Sequence, residues 1–219
     1  MGEAELIDRY LDLILEANKT TNLTRIDSKE KAQLLHVEDS LVALPEINKA
    51  PEGLYGDLGT GGGFPGVPVA IMTGREAVLV DSVKKKVAIV DKAVESLGLS
   101  DQISTFSGRI EDLARERPRQ FSVLTARALS QLPSLLELAS PLLKEGGAFV
   151  CYKGEATAEE QKNAEKVARK VGMVFVSKRS LTLSDGETHR EVFLYRREGK
   201  PKVKLPRRIG LAQHKPLID

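Results

Sequence analysis

Asp57-Leu58-Gly59-Thr60-Gly61-Gly62-Gly63-Phe64-Pro65-Gly66 is followed, 18 residues after Gly63, by Asp81 at the end of the apolar run Ala77-Val78-Leu79-Val80. Residues of these types at this spacing can hold a nucleoside. Glycines adopt positive φ and let backbone N–H groups approach a ligand closely. An acid at the end of a following strand can accept hydrogen bonds from ribose hydroxyls. The elements required are a short strand, a glycine turn, a helix starting near Pro65 and a second strand, which together form one βαβ unit.

Gly61, Gly63 and Gly66 also satisfy the dinucleotide spacing, so glycines alone do not choose the ligand. Asp57 does. A carboxylate just before the turn would repel a pyrophosphate, whereas S-adenosylmethionine brings a cationic amino group and a sulfonium. The pattern therefore favours a methyl donor over NAD. A tight turn with no ligand leaves the pairing with Asp81 without a purpose.

The rest of the chain supplies the scaffold. Residues 3–18 carry Ile7, Tyr10, Leu11, Ile14 and Ala17 on one helical stripe. A connector containing Asn22-Leu23-Thr24 follows, and Ser28 is placed to cap a second helix running to about Leu44, with Pro45 after its stop. Beyond the glycine turn, strands are expected at 76–81, 102–106, 121–126 and 148–152. Helices are expected at 83–97, after Gly108-Arg109-Ile110-Glu111, at 130–143 and at 156–171. Gly146-Gly147 reads as a turn into the strand at 148–152. Two longer strands at 173–182 and 190–197, joined through Ser184-Asp185-Gly186, form a terminal hairpin. This alternation predicts an α/β fold with a seven-stranded, mostly parallel sheet ending in an antiparallel hairpin. Residues 1–50 form an N-terminal helical cover, 51–197 the core and 198–219 a basic tail.

With 219 residues and 41% hydrophobic content the chain can bury a core, and no apolar run approaches a membrane span. A single cysteine, Cys151, rules out an internal disulfide or a cysteine-rich zinc site, and three scattered histidines give no metal cluster. The acidic N-terminus lacks a signal-peptide pattern, so a soluble cytoplasmic protein is expected. The net charge of +2 hides an asymmetry: residues 1–50 hold ten acids against six Lys or Arg, and residues 196–219 hold eight Lys or Arg against two acids. Arg196, Arg197, Lys200, Lys202, Lys204, Arg207 and Arg208 surround one acid, which suits an RNA backbone; a solvated terminus is the alternative.

With these residues in hand, the chain resembles the bacterial small-subunit ribosomal RNA guanine-N7 methyltransferases, the family once called glucose-inhibited division protein B. The resemblance spans nearly the whole chain. It rests on Asn22-Leu23-Thr24, His36 with Asp39-Ser40, Asp57 through Gly66, and Asp81-Ser82 with Lys85-Lys86. Gly108-Arg109-Ile110-Glu111, Ala126-Arg127-Ala128, Tyr152-Lys153-Gly154 and the segments Pro206 through Gly210 and His214 through Leu217 complete it. It implies a class I (Rossmann-like) methyltransferase fold, S-adenosylmethionine as donor, no metal, and N7 of one guanosine in 16S ribosomal RNA as acceptor, presented as free RNA or as a subunit. It also implies that Gly59 and Phe64 line the methionine end of the pocket, with Asp57, Gly61, Gly63 and Ser82 in the same cofactor set. Asp81 would hold the ribose, Ile110 and Glu111 would border the adenine, and Arg127 would sit beside the methyl.

Guanine N7 carries a lone pair and no proton, so in-line attack needs no general base; alignment and electrostatics must do the catalysis. No Asp-Pro-Pro-aromatic motif for exocyclic-amine methylation stands after the fourth strand. Cys151, inside an expected strand, suits a buried thiol better than a nucleophile. Arg127 and Lys153 end adjacent strands, where ligands bind in open α/β sheets; Arg127 can donate to guanine O6, a phosphate or the cofactor carboxylate, and Lys153 to O6 or a phosphate. Tyr152 can stack on a flipped base or fill the core, and His36 suits a structural hydrogen bond. Other readings remain: a methyltransferase acting on a small molecule or protein, an NAD oxidoreductase (lacking a Tyr-x-x-x-Lys pair), or an RNA-binding assembly factor without turnover.

Overall fold

A computed structural model describes residues 2–21, 23–26 and 28–218; Asn22 of the connector motif lies outside the described residues. Among the described residues, seven strands form one sheet in the order β3-β2-β1-β4-β5-β7-β6. Helix α1 (Glu3–Thr21) comes first, then α2 (Lys29–Ala32), which runs through a π-helical stretch, Gln33–Glu38, into α3 (Asp39–Leu41). Helix α4 (Leu44–Ile47) precedes β1 (Tyr55–Leu58), α5 (Gly66–Thr73), β2 (Ala77–Asp81) and α6 (Lys84–Ser96). Next come β3 (Ile103–Ser107), α7 (Ile110–Glu116), β4 (Phe121–Arg127), α8 (Leu132–Ala139), β5 (Leu143–Lys153) and α9 (Ala158–Val171). The hairpin β6 (Met173–Thr182) and β7 (His189–Arg197) and a last turn of helix, α10 (Leu211–His214), complete the chain.

Strands β1 to β5 are parallel, and β7 runs antiparallel to both β5 and β6. Period-two alternation divides the core between the two faces. Leu58, Val78, Val80, Leu124, Ala126, Phe149 and Cys151 pack with α7, α8 and α9. Their neighbours Tyr55, Ala77, Leu79, Val123 and Val150 pack with α1, α5 and α6. The stripe Ile7, Tyr10, Leu11 and Ile14 is buried in that second layer, so the first helix shares the sheet's core.

Three expected boundaries change. The second helix is capped by Ser28 as expected, its side chain accepting from Lys31 N, but Pro45 lies in the first turn of the short α4 instead of following a stop. Helix α8 ends before Pro141, whose ring cannot continue it, so the 130–143 expectation is too long. Gly146-Gly147 is not a turn before the strand. Strand β5 already pairs from Leu143, and Gly146, at φ 74, lies inside it where the register with β4 shifts. Between the pairs Phe121–Leu143 and Val123–Ala148, β5 carries three more residues than β4, and the positive-φ glycine lies in that irregularity.

Candidate functional site

The carboxyl ends of the parallel strands carry two neighbouring cavities. The first is lined by Gly59, Val80, Asp81, Ser82, Gly108, Arg109, Ile110, Glu111, Leu129, Leu138 and Gln213. Five of the expected donor-binding residues, Gly59, Asp81, Ser82, Ile110 and Glu111, thus meet around one space. Asp81 is held by Gly61 N–H (2.9 Å) on one oxygen and Val83 N–H (2.8 Å) on the other. Gly59 takes φ 75, a conformation that favours glycine, and an added Cβ there would lie 2.7 Å from Leu129 Cδ1 and displace that side chain.

Gly61 borders this cavity through its bond to Asp81, and the remaining expected donor residues lie elsewhere. Asp57 is fully buried outside this cavity, accepting from Gly66 N–H (3.1 Å) and Thr125 Oγ1 (2.7 Å). Its carboxylate ties the exit of the glycine turn to β4. Burial pushes its pKa up, opposed by the Thr60 and Thr125 hydroxyls, the Arg127 charge and Gly66 N–H. Gly63 and Phe64 are also turned away from the cavity, toward the helical cover. The Gly63 Cα faces Tyr10, whose hydroxyl donates to Gly62 O at 2.9 Å. The Phe64 ring stacks on His36 (centroids 4.7 Å apart, 8° between planes) and meets Tyr10 edge-on at 5.5 Å. Pinning the turn is their visible role.

The second cavity is lined by Ile26, Leu35, His36, Asp39, Arg127, Ala128, Ser130, Tyr152, Lys153, Gly154 and Arg190. The loop after β4 divides the two: Leu129 faces the first, while Arg127, Ala128 and Ser130 face the second. Arg127 therefore lies next to the first cavity instead of lining it. Asp39, almost wholly buried, accepts from Arg127 Nη1 at 2.9 Å and Arg190 Nε at 2.8 Å, and Arg127 also donates to Leu35 O. One carboxylate thus orients two guanidiniums. Lys153 pairs with Glu160 at 2.8 Å, and Glu160 also receives Leu132 N–H. Ala128, with φ 53, holds a left-handed conformation uncommon outside glycine, immediately after Arg127.

The buried Tyr152 donates its hydroxyl to Ser40 O (2.8 Å), so its ring is part of the cavity's wall and not a free stacking platform. His36 lies on the π-helical stretch, with Nε2 3.1 Å from Thr24 Oγ1 and Nδ1 buried without a partner. Burial and the Arg127 charge lower its pKa to about 4, so it is neutral near pH 7. Cys151 is buried, and burial pushes its thiol well up, away from nucleophilic use.

The basic tail packs against the core. Arg207 chelates Glu137 through Nε (2.6 Å) and Nη2 (2.7 Å), Gly210 N–H donates to Glu111 at 2.8 Å, and Gln213 reaches the first cavity. Arg197, expected among the RNA contacts, is buried and donates to Leu143 O. Arg196, Lys200, Lys202, Lys204 and Arg208 are exposed. Sequence reasoning missed the roles of Asp39, Arg190, Arg109, Gln213 and Leu129. Asp39 and Arg109 stood in noted motifs; nothing local marked the others, which are assembled by strand and tail placement.

The sheet order, the glycine turn and the acid ending β2 define a class I S-adenosylmethionine-dependent methyltransferase fold. Solved structures with it include an O-methyltransferase from Bacillus cereus in complex with S-adenosylhomocysteine (TM-score 0.61, 16% identity, covering 86% of this chain and 90% of that one). A geranyl diphosphate C-methyltransferase from Streptomyces coelicolor is similar as well (TM-score 0.59, 14% identity, 72% and 74% covered). The model of the rRNA small subunit methyltransferase G family matches residues 3–189, and the chain belongs to that family. Relatives named ribosomal RNA small subunit methyltransferase G include one from Carboxydothermus hydrogenoformans, 32% identical over 97% of this chain and 91% of that protein. Another, from Gloeobacter violaceus, is 35% identical over 98% and 86%.

Proposed function

We propose that this protein transfers a methyl group from S-adenosylmethionine to N7 of a guanosine in small-subunit ribosomal RNA. The observation that carries this reading is the pair of adjoining cavities divided by Arg127-Ala128-Leu129-Ser130, one fit for a nucleoside and the other rimmed by cations. Family membership supports the ribosomal RNA substrate.

The residues present fit the donor. Asp81 is partly exposed at the end of β2, where a ribose diol can reach it, and Val80, Ile110, Leu129 and Leu138 give apolar walls for an adenine. When bound, the donor supplies an electrophilic methyl on a sulfonium. Everything else asked of the chain is positioning. Arg127 and Arg190, fixed by Asp39, present positive charge to guanine O6 or a flanking phosphate while N7 stays free. Neutral His36 adds no competing charge at the cavity edge. N7 attack requires no base, so the reading assigns none. Lys153, half-neutralised by Glu160, contributes to the rim, and the exposed Arg196, Lys202 and Arg208 extend the cationic surface for backbone phosphates.

The test is transfer of labelled methyl from S-adenosylmethionine to small-subunit RNA or subunits from cells lacking this protein, followed by borohydride–aniline cleavage. One cleavage site is expected. Label in the RNA without cleavage would remove the N7 assignment, and no label in RNA or subunits would remove the RNA substrate.

A further inference from the structure

The amino-terminal end of the parallel sheet, opposite both cavities, carries a groove between the end of α7, the start of β4 and the segment after β7. Arg119, Arg197, Lys200 and Lys204 line it, with Pro141 and Leu205 among its apolar walls and no acid. Arg197 is the unusual member. Its residue is 3% exposed, its Nε is buried with no hydrogen-bond partner, and its Nη1 meets only the Leu143 carbonyl (3.0 Å) and a distant, exposed Glu145 carboxylate (3.9 Å). Burial and the neighbouring Arg119 charge lower its pKa. A guanidinium held in this way lacks the acceptors that normally accompany a buried charge.

The surrounding backbone is fixed. Glu198 N–H donates to Gly172 O and Lys202 N–H to Lys170 O, holding the segment that carries Lys200. A Cβ on Gly172 would lie 2.3 Å from Gly199 O, so this close approach needs glycine. Arg119 N–H donates to Pro141 O, with Arg119 at φ 58. Four cations line the groove; among the described residues its lining holds no acid, and Glu145 reaches Arg197 only at 3.9 Å.

We propose that this groove is a phosphate-binding site, with Arg197 at its base and Arg119, Lys200 and Lys204 at its rim. An oxyanion supplies the acceptors that Arg197 lacks and neutralises like charges that repel one another; charge-assisted bonds of this kind are the strong ones. The site is independent of methyl transfer at the other end of the sheet. Its phosphate comes either from an RNA backbone or from a free phosphate or nucleotide.

The experiment is a ¹H–¹⁵N NMR titration of the full chain with inorganic phosphate at constant ionic strength, with chloride as control. Saturable shifts confined to residues 119 and 197–205 are expected. In the exposed double variant Lys200→Ala/Lys204→Ala the affinity should fall about tenfold or more; Arg197→Gln probes the base where it folds. A short RNA that displaces phosphate from the same residues assigns the backbone as source, and one that leaves them unmoved assigns free phosphate. Unsaturable shifts, shifts equal to chloride's, or an affinity unchanged in the double variant overturn the site. Methyl transfer by the parent chain is measured separately, so its failure would sink the proposed function and leave the phosphate result standing.

Discussion

Replacing Asp39 with alanine removes one carboxylate from two arginines at once. Its side chain is 3% exposed, and its partners Arg127 and Arg190 are 14% and 22% exposed. Exposed ion pairs contribute up to about 1 kcal/mol, and breaking a buried one costs about 3–5 kcal/mol. These two pairs lie between, so about 1.5 kcal/mol each, or about 3 kcal/mol together, is expected for Asp39→Ala. At a urea dependence of about 2 kcal/mol per molar, the midpoint falls by about 1.5 M. In an Arg190→Met background the same substitution should cost about half as much, because one partner is already gone. Methyl transfer at saturating donor should drop as Arg127 loses its orientation, while donor affinity changes little because Asp39 lies outside the donor cavity. A loss below about 0.5 kcal/mol, or an equal loss in both backgrounds, would falsify the clamp.

Asp81→Ala should weaken donor binding by about 10- to 100-fold, as expected when hydrogen bonds to a charged acceptor are removed, with RNA affinity retained; calorimetry with S-adenosylhomocysteine reads it. Gly63→Ala would force a side chain to φ 84 with its Cβ 1.9 Å from Tyr10 Oη, costing about 3 kcal/mol or more. Gly62→Ala, whose Cβ meets nothing nearer than 3.5 Å, should cost less than about 1 kcal/mol, and equal melting temperatures for the two would refute the packing account. His36 has its folded pKa lowered from 6.5 to about 4, so the unfolded chain takes up its proton first as pH falls. Between pH 6.5 and 4 this erodes stability, by up to about 3 kcal/mol at the lower end, and none of that loss is present above pH 6.5. His36→Phe should flatten that part of the stability–pH profile relative to the parent, and parallel profiles would exclude the linkage.

The sequence alone determined the local elements and brought to notice five residues that line the first cavity, because these depend on neighbours along the chain. Alternating apolar strands, Ser28 as a cap, the glycine turn and Asp81 at the end of β2 all follow from steric and periodic rules that act within a few residues. Gly59, Asp81, Ser82, Ile110 and Glu111 were legible because each stands at the carboxyl end of a parallel strand or in the turn beyond it. Tertiary structure decided the rest. A carboxylate near a glycine turn can face a ligand or the backbone, and only packing shows that Gly66 N–H and Thr125 enclose Asp57. Phe64 stacks on His36 because the cover folds over the turn, a contact that no spacing encodes. Asp39 meets Arg190 across 151 residues because β7 lies between β5 and β6, although a hairpin could have added in either order. The same insertion buries Arg197 at one end of β7 while bringing Arg190 to the cavity at the other. Charge counts along the chain cannot separate these two arginines; the direction of β7 and the depth at which each side chain is packed do.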